Sequence, residues 1–224
     1  MTMARQAALQ QVAEGKANGG VHEIPGFAGS GPPLPPVASA EPVVSNARLA
    51  VLMFLAAEAM FFAGLIGAFI VFRLSSSVWP PSFQPRLPVA VTGVNTVILL
   101  LSGFTMRLAL RAVRLGRPAG LARSLLATLL LGVLFLGIQG YEWFRLIEFG
   151  LKVSSGIYGS TFYTLIGIHG LHVLGAVLWL TVVLIQARQG RFTAERHTGV
   201  ETCSMYWSFV VGLWPVLYGL VYLY

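Results

Sequence analysis

Cysteine is almost absent from this chain, and charged residues are scarce. Cys203 is the single cysteine among 224 residues, so neither an intramolecular disulfide nor a cysteine-based metal cluster can form. Asp, Glu, Lys and Arg together make up only 10% of the residues, whereas 56% are hydrophobic. Soluble domains have about 45–50% apolar residues. The composition therefore indicates an integral membrane protein.

Several functional classes lack their sequence signatures here. The chain has no phosphate-binding nucleotide loop, no hydrolase triad and no haem-attachment motif. Its formal net charge is +7, but most of the basic residues lie at the ends of apolar segments, where membrane proteins carry their orientation signals. The positive charge is thus explained without nucleic acid, which we do not expect as a partner.

The first 46 residues differ in composition from the rest of the chain. The stretch 23–42 contains six prolines and three glycines, which prevents continuous helix or sheet and offers little apolar surface to bury. No apolar run in this region is long enough for a secretory signal. Residues 1–46 are therefore predicted to be a disordered, Pro/Gly-rich tail on the cytoplasmic side.

Five long apolar segments follow the tail, and each is near or above the ~20 residues that a membrane-spanning helix needs. They lie at about 47–73, 88–110, 121–144, 158–187 and 200–224. The connections between them are rich in Pro, Ser, Gly or Arg, and no internal repeat is evident. Residues 47–224 are predicted to form an all-α membrane protein, a bundle of five transmembrane helices.

The distribution of Lys and Arg orients this bundle. The amino-terminal region and the second and fourth connections carry 11 of these residues, and the opposite side carries 4. Because cytoplasmic segments hold the excess of positive charge, the amino terminus is predicted to be cytoplasmic. The carboxyl terminus is then outside, or periplasmic.

Three ionisable residues interrupt the apolar segments near the membrane midplane. Glu58 lies about 15 Å beyond Arg48, and His169 lies about 16 Å from Tyr158, at 1.5 Å per residue. For His169 and His172 we favour structural packing or hydrogen bonding over metal ligation, because no second ligand cluster lies at matching depth. For Glu58 a proton-linked or partner-binding role and a neutral structural role both stay open. We expect Glu58 to be protonated at neutral pH.

A further carboxyl group, Glu142, lies near the outer end of the third segment. Glu148 and Arg145 are close to it in the sequence. We interpret this group as structural, a solvated ion pair rather than a chemical site.

Four stretches of the sequence resemble successive signatures of subunit III of the haem–copper oxidases. They are "AAEAMFFAGLIGAF", "VNTVILLLSG", "YGSTFYTLIGIHGLHVLGA" and the "YW" pair at 206 and 207, in the same order and spacing. By this resemblance Glu58 corresponds to the membrane-embedded carboxylate of the family, in the helix that faces subunit I. His169 and His172 correspond to a histidine pair that binds no metal.

The resemblance implies a non-catalytic accessory subunit of a cytochrome c oxidase, a proton-pumping terminal oxidase of aerobic respiration. The chain itself would hold no haem or copper, which belong to partner subunits. Subunit I would be the main contact, alongside subunit II, other respiratory-complex subunits and membrane phospholipids held in a cleft. The expected roles are to stabilise subunit I, sustain proton uptake and protect the oxygen-reducing centre during turnover. The expected location is a bacterial plasma membrane.

The chain departs from the family pattern at two points. Many members have seven helices, whereas five fit here, so the helix pair that walls the lipid cleft is missing. The last segment reads "YWSFVVGLW", with Ser208 in place of the usual histidine and Val211 in place of the usual aspartate. The equivalent subunit of a quinol oxidase or nitric oxide reductase remains an alternative, as does a proton-linked carrier that uses Glu58.

Overall fold

The computed structural model describes residues 45–79, 81 and 87–223. The predicted tail, residues 1–46, lies outside these residues except at its end. There Ser45 caps the first helix and Asn46 begins it. The fold below is that of the described part of the chain.

Five long helices make up the fold, and the described residues contain no β-strand. The helices are α1 (Asn46–Ser75), α2 (Val89–Arg114), α3 (Pro118–Glu148), α4 (Gly156–Arg188) and α5 (Thr198–Tyr218), and a short π-helix, Gly219–Leu223, extends α5. All five are long and apolar enough to cross a membrane. The predicted all-α, five-helix architecture is confirmed.

The helix ends follow local capping rules. The Ser45 side chain accepts a hydrogen bond from the backbone N–H of Arg48, 3.4 Å away, and so caps α1. Pro118 occupies the first turn of α3, where its missing N–H costs no hydrogen bond. Beyond α2, Gly116 has a φ of 64° and lets the Arg117 N–H bond back to the Ala112 carbonyl at 2.9 Å. The same arrangement at Gly190, with a φ of 70°, ends α4.

Helix α5 contacts α1, α2 and α4, and two tryptophans fix its position. Trp207 and Trp214 are fully buried. The indole Nε1 of Trp207 donates to Ser102 Oγ at 3.2 Å, and that of Trp214 donates to Thr96 Oγ1 at 2.9 Å. Both hydroxyls belong to α2, so each indole gains a polar partner that hydrocarbon could not supply.

A glycine in α3 allows this close packing. A Cβ atom on Gly132 would lie 2.6 Å from Cη2 of Trp207. No larger residue fits there unless the indole moves. Small residues at helix contacts are a common way to bring membrane helices together.

Helix α1 lies at the rim of the bundle. Within α1, all of which the structure describes, Phe62 and Phe69 are the buried residues. The helix packs against α5 and α4, and most of its apolar side chains face outward, including Met53 and Met60. This outward surface meets lipid or another protein.

Candidate functional site

An acid and an imidazole meet at mid-depth between α1 and α4. The carboxyl oxygen Oε2 of Glu58 lies 2.9 Å from Nε2 of His172. The two side chains are 17% and 20% exposed, respectively. The sequence placed both residues at similar depth, but it did not predict that they would pair. The pair lies at the edge of the bundle, where a neighbouring molecule could reach it.

The second ring nitrogen of His172 limits the protonation states of this pair. Nδ1 lies 2.7 Å from the carbonyl oxygen of Ile168. A carbonyl can only accept, so Nδ1 carries a hydrogen. Nε2 then either accepts from a protonated Glu58 or donates, as an imidazolium, to a Glu58 carboxylate. In both forms the pair shares one proton and has no net charge, which suits its place in the membrane.

The other histidine of the motif has a different environment. His169 is 1% exposed, and its ring stacks on Trp214 with centroids 5.1 Å apart. Neither of its ring nitrogens has a hydrogen-bond partner within the described part of the chain. Although His169 and His172 are three residues apart, one packs inside the bundle and the other pairs with an acid at its edge.

Metal ligation is the alternative role for these two histidines. Among residues 45–79, 81 and 87–223, no group of three or more His, Cys, Asp or Glu side chains is placed to hold a metal ion. A structural metal site needs four ligands and a catalytic one at least three. The Glu58–His172 pair thus has the geometry of a proton-sharing hydrogen bond and lacks a third ligand from these residues.

Glu142 is buried, which differs from the expected solvated ion pair. It is 5% exposed, and its Oε2 accepts from Thr92 Oγ1 at 3.0 Å and from Gln139 Nε2 at 3.3 Å. Arg145 instead places its guanidinium 5.4 Å from the centre of the Phe149 ring. The rotation of α3 turns Glu142 towards α2, and sequence spacing alone could not reveal that rotation.

An ionic cluster that the sequence did not predict lies at the end of the bundle where α1 begins and α2 ends. Glu201, near the start of α5, accepts from Nε of Arg48 at 2.9 Å and also from its Nη2. Arg114 Nη2 donates to the other carboxyl oxygen at 3.1 Å, and His197 Nε2 lies 3.2 Å from it. One buried carboxylate therefore joins three helices. The available signal was a glutamate four residues after a histidine, on the side predicted to hold most arginines.

The two residues of α5 that differ from the family pattern, Ser208 and Val211, lie in different surroundings. Val211 is buried, and its Cγ1 would be 3.2 Å from a Cβ placed on Gly103 of α2. An apolar contact therefore occupies this position. Ser208 is exposed and lines a cavity of about 390 Å³ beside the Glu201 cluster.

Comparison with known proteins assigns the chain to a family. A sequence model of cytochrome c oxidase subunit III matches residues 38–224. Cytochrome c oxidase subunit 3 of Synechocystis is 41% identical over 174 residues, which cover 77% of this chain and 73% of the relative.

Two further relatives give the same result. A probable cytochrome c oxidase subunit 3 of Nocardia farcinica is 36% identical over 172 residues, covering 76% of this chain and 84% of the relative. The subunit 3 of Cyprinus carpio is 35% identical over 187 residues, covering 81% and 70%. The chain therefore belongs to the cytochrome c oxidase subunit III family.

Proposed function

We propose that this chain is a non-catalytic accessory subunit of a proton-pumping haem–copper oxidase that reduces oxygen to water. In this role it stabilises subunit I and supports proton uptake and the lifetime of the enzyme during turnover. Haem and copper belong to the partner subunits. The observation that carries the proposal is the hydrogen bond between Glu58 and His172, a titratable pair at the rim of the bundle.

The position of the pair supports a role that depends on a partner. Glu58 lies about 18 Å along α1 from Asn46, at 1.5 Å per residue, and hence deep in the membrane. Ionisable groups at this depth are costly and are usually functional. Because the pair is neutral as a whole, it can rest in the bilayer and still pass a proton between its two members. The exposed apolar surface of α1 provides the matching face for subunit I.

Orientation and location complete the proposal. The excess of Lys and Arg at the end of the bundle that holds Arg48 and Arg114 supports a cytoplasmic amino terminus. The membrane is the plasma membrane of a bacterium, in keeping with the bacterial relatives of this chain.

The first experiment isolates the tagged chain from its native membrane in mild detergent. We expect haem absorption bands and a large multi-helix subunit in the same preparation. The haem type and the donor subunit then separate a cytochrome c oxidase from a quinol oxidase or nitric oxide reductase. A colourless preparation without such a subunit would contradict the proposal and favour a proton-linked carrier.

The second experiment tests the pair itself with Glu58→Gln. The glutamine keeps the size of the side chain but cannot exchange a proton, so we expect slower turnover or a shorter lifetime during turnover. A carbodiimide should label Glu58 in the wild type and lose that target in the variant. Glu148→Gln is the matched control, because Glu148 is an exposed carboxyl at the end of α3. Unchanged assembly, turnover and lifetime in Glu58→Gln would remove the proposed role of this residue.

A further inference from the structure

A groove between α3 and α4, the α3–α4 groove, opens sideways towards the membrane. Its volume is about 700 Å³, within the ~300–1,000 Å³ of typical ligand pockets. Its walls run from Leu136 to Trp143 in α3 and from Tyr163 to Leu174 in α4. The α4 wall is about 16 Å long at 1.5 Å per residue, roughly half of a 30 Å hydrocarbon layer. A pocket of this length suits a compact ligand better than a membrane-spanning helix.

Two side chains of the groove have a buried polar atom without a hydrogen-bond partner in the described part of the chain. Gln139 lines the groove and is 3% exposed. Its Nε2 lies 3.3 Å from Oε2 of Glu142 and 3.3 Å from the Tyr222 hydroxyl, but its Oε1 accepts from no described residue. The indole Nε1 of Trp143 has no acceptor among these residues either. Unpaired buried groups cost free energy, so a ligand that offers both a donor and an acceptor would satisfy the two atoms.

Two glycines of α4 make room for the indole of Trp143. A Cβ atom on Gly170 would lie 3.3 Å from Cη2 of this indole, and one on Gly167 would lie 3.8 Å from it. The Tyr163 ring meets the indole edge-on, with centroids 6.2 Å apart. The two rings therefore give the groove an aromatic wall against which another ring can pack. On the α3 side, a Cβ on Gly140 would have no atom of the described residues within 4 Å, so the space there is open.

The residues that line the groove narrow the class of ligand. None of the described lining residues is charged, so the groove offers no partner for a phosphate group, and a charge is costly inside the bilayer. An acyl chain would fill the apolar space but would leave Gln139 Oε1 and Trp143 Nε1 unpaired. A quinol has an aromatic ring, an apolar tail and hydroxyl groups that both donate and accept. The oxidised quinone has carbonyl groups instead, and a carbonyl can only accept.

We propose that the α3–α4 groove binds a membrane quinol, with one hydroxyl donating to Gln139 Oε1 and the other accepting from Trp143 Nε1. The two residues are about 6 Å apart along α3 at 1.5 Å per residue, a separation that the opposite hydroxyls of one ring can span. The ring packs against Trp143 and Tyr163, and the tail leaves past the exposed Leu171 and Leu174 into the lipid. This binding involves no electron transfer and is independent of the proposed role as an oxidase subunit.

The test is equilibrium dialysis of the purified full chain, with any subunits that copurify, in detergent and without oxygen so that no turnover consumes the quinol. The probes are decylubiquinol, decylubiquinone and, as a competitor without a ring, decanol. Gly140→Leu fills the groove. Gly137→Leu is the matched control, because a Cβ there also has no described atom within 4 Å and Gly137 does not line the groove. Gln139→Met removes the acceptor, and Trp143→Phe removes the donor but keeps an aromatic ring.

We expect the wild type to bind decylubiquinol about tenfold more tightly than decylubiquinone, the effect of one hydrogen bond to an otherwise unpaired buried group. Gly140→Leu should lower the affinity for the quinol about tenfold or more, and Gly137→Leu should bind as the wild type does. Gln139→Met should lose the preference for the reduced form, whereas Trp143→Phe should weaken the binding of both forms. Circular dichroism checks that each variant remains folded. Gly140→Leu keeps the hydrogen bonds of Gln139, so it tests the site even if Gln139→Met unfolds.

Four results would overturn the proposal. Unchanged quinol affinity in Gly140→Leu would mean that the quinol binds elsewhere. Equal affinities of the wild type for the reduced and oxidised forms would show that the Gln139 oxygen does not recognise the ligand. Full displacement of the quinol by an equal concentration of decanol would reduce the groove to an unselective apolar site. Loss of a copurifying protein from Gly140→Leu, with unchanged quinol binding, would identify a partner helix as the occupant.

Discussion

Replacing His169 or His172 by Phe should cost different amounts of stability. His172→Phe removes the hydrogen bond at 2.9 Å to Glu58 and leaves that carboxyl, 17% exposed, without its partner. An unsatisfied buried polar group costs about 1–3 kcal/mol. His169→Phe breaks no hydrogen bond with the described residues and keeps an aromatic ring against Trp214. A substitution of this kind usually costs less than about 1.5 kcal/mol.

We therefore expect His172→Phe to lower the free energy of unfolding by about 2 kcal/mol, which changes the unfolding equilibrium constant about thirtyfold. The assay is titration of the purified protein with SDS in mixed micelles, followed by far-UV circular dichroism. Adding Glu58→Leu to His172→Phe should recover most of the loss, since replacing both partners by apolar groups leaves nothing unsatisfied. Equal losses for the two histidine variants, or no recovery in the double variant, would refute the reasoning.

Two further predictions concern packing and the buried acid of α3. Gly132→Ala should destabilise the protein by about 1–3 kcal/mol, because the new methyl group overlaps the buried indole of α5. Gly137→Ala, in the same helix with no atom of the described residues within 4 Å of the added methyl group, should be neutral or stabilising by up to about 1 kcal/mol. Thr92→Val should cost about 1–3 kcal/mol, since it removes a donor from buried Glu142. Thr181→Val should change stability by less than about 0.5 kcal/mol, because its hydroxyl bonds, among the described residues, only to a carbonyl of its own helix. The same SDS titration measures all four variants.

For each pair of variants, equal behaviour of the two members would contradict the physical reason for the prediction. If both glycine variants behave alike, the contact of the Trp207 ring with Gly132 does not limit packing there. If both threonine variants behave alike, the hydroxyl of Thr92 contributes nothing to holding Glu142.

The helices themselves could be predicted because the membrane imposes their length. A hydrocarbon layer about 30 Å thick requires ~20 apolar residues in each span, and five such segments are visible in the sequence. The predicted helices differ from the observed ones at their first and last residues. Helix α3 was expected at about 121–144 and extends over Pro118–Glu148. The sequence pattern assigns Pro118 to a connection, although proline is well tolerated in the first turn of a helix.

The pairing of side chains could not be predicted, because it depends on how each helix is rotated. In water an apolar stripe reveals the buried face of a helix, but lipid is as apolar as the core and weakens that signal. Glu58 and His172 could be placed at one depth by counting residues, but not on facing sides of two helices. For the same reason Glu142 was expected in solvent, and Glu201 was not recognised as the centre of an ionic cluster.

The contacts of α1 also determine the order in which the bundle can assemble. Its partners along the length of the helix lie in α4 and α5: Glu201 binds Arg48, His172 binds Glu58, and Phe209 has its ring 6.5 Å from that of Phe62. A helix inserted in the bilayer does not associate until its partners are present. Helix α1 is thus synthesised first of the five, but it cannot dock before α4 has entered the membrane, and its contacts are complete only when α5 follows. Until α4 arrives, α1 remains in the lipid as a separate helix with an unpaired Glu58, the stage at which truncated or stalled chains would be most vulnerable to proteolysis.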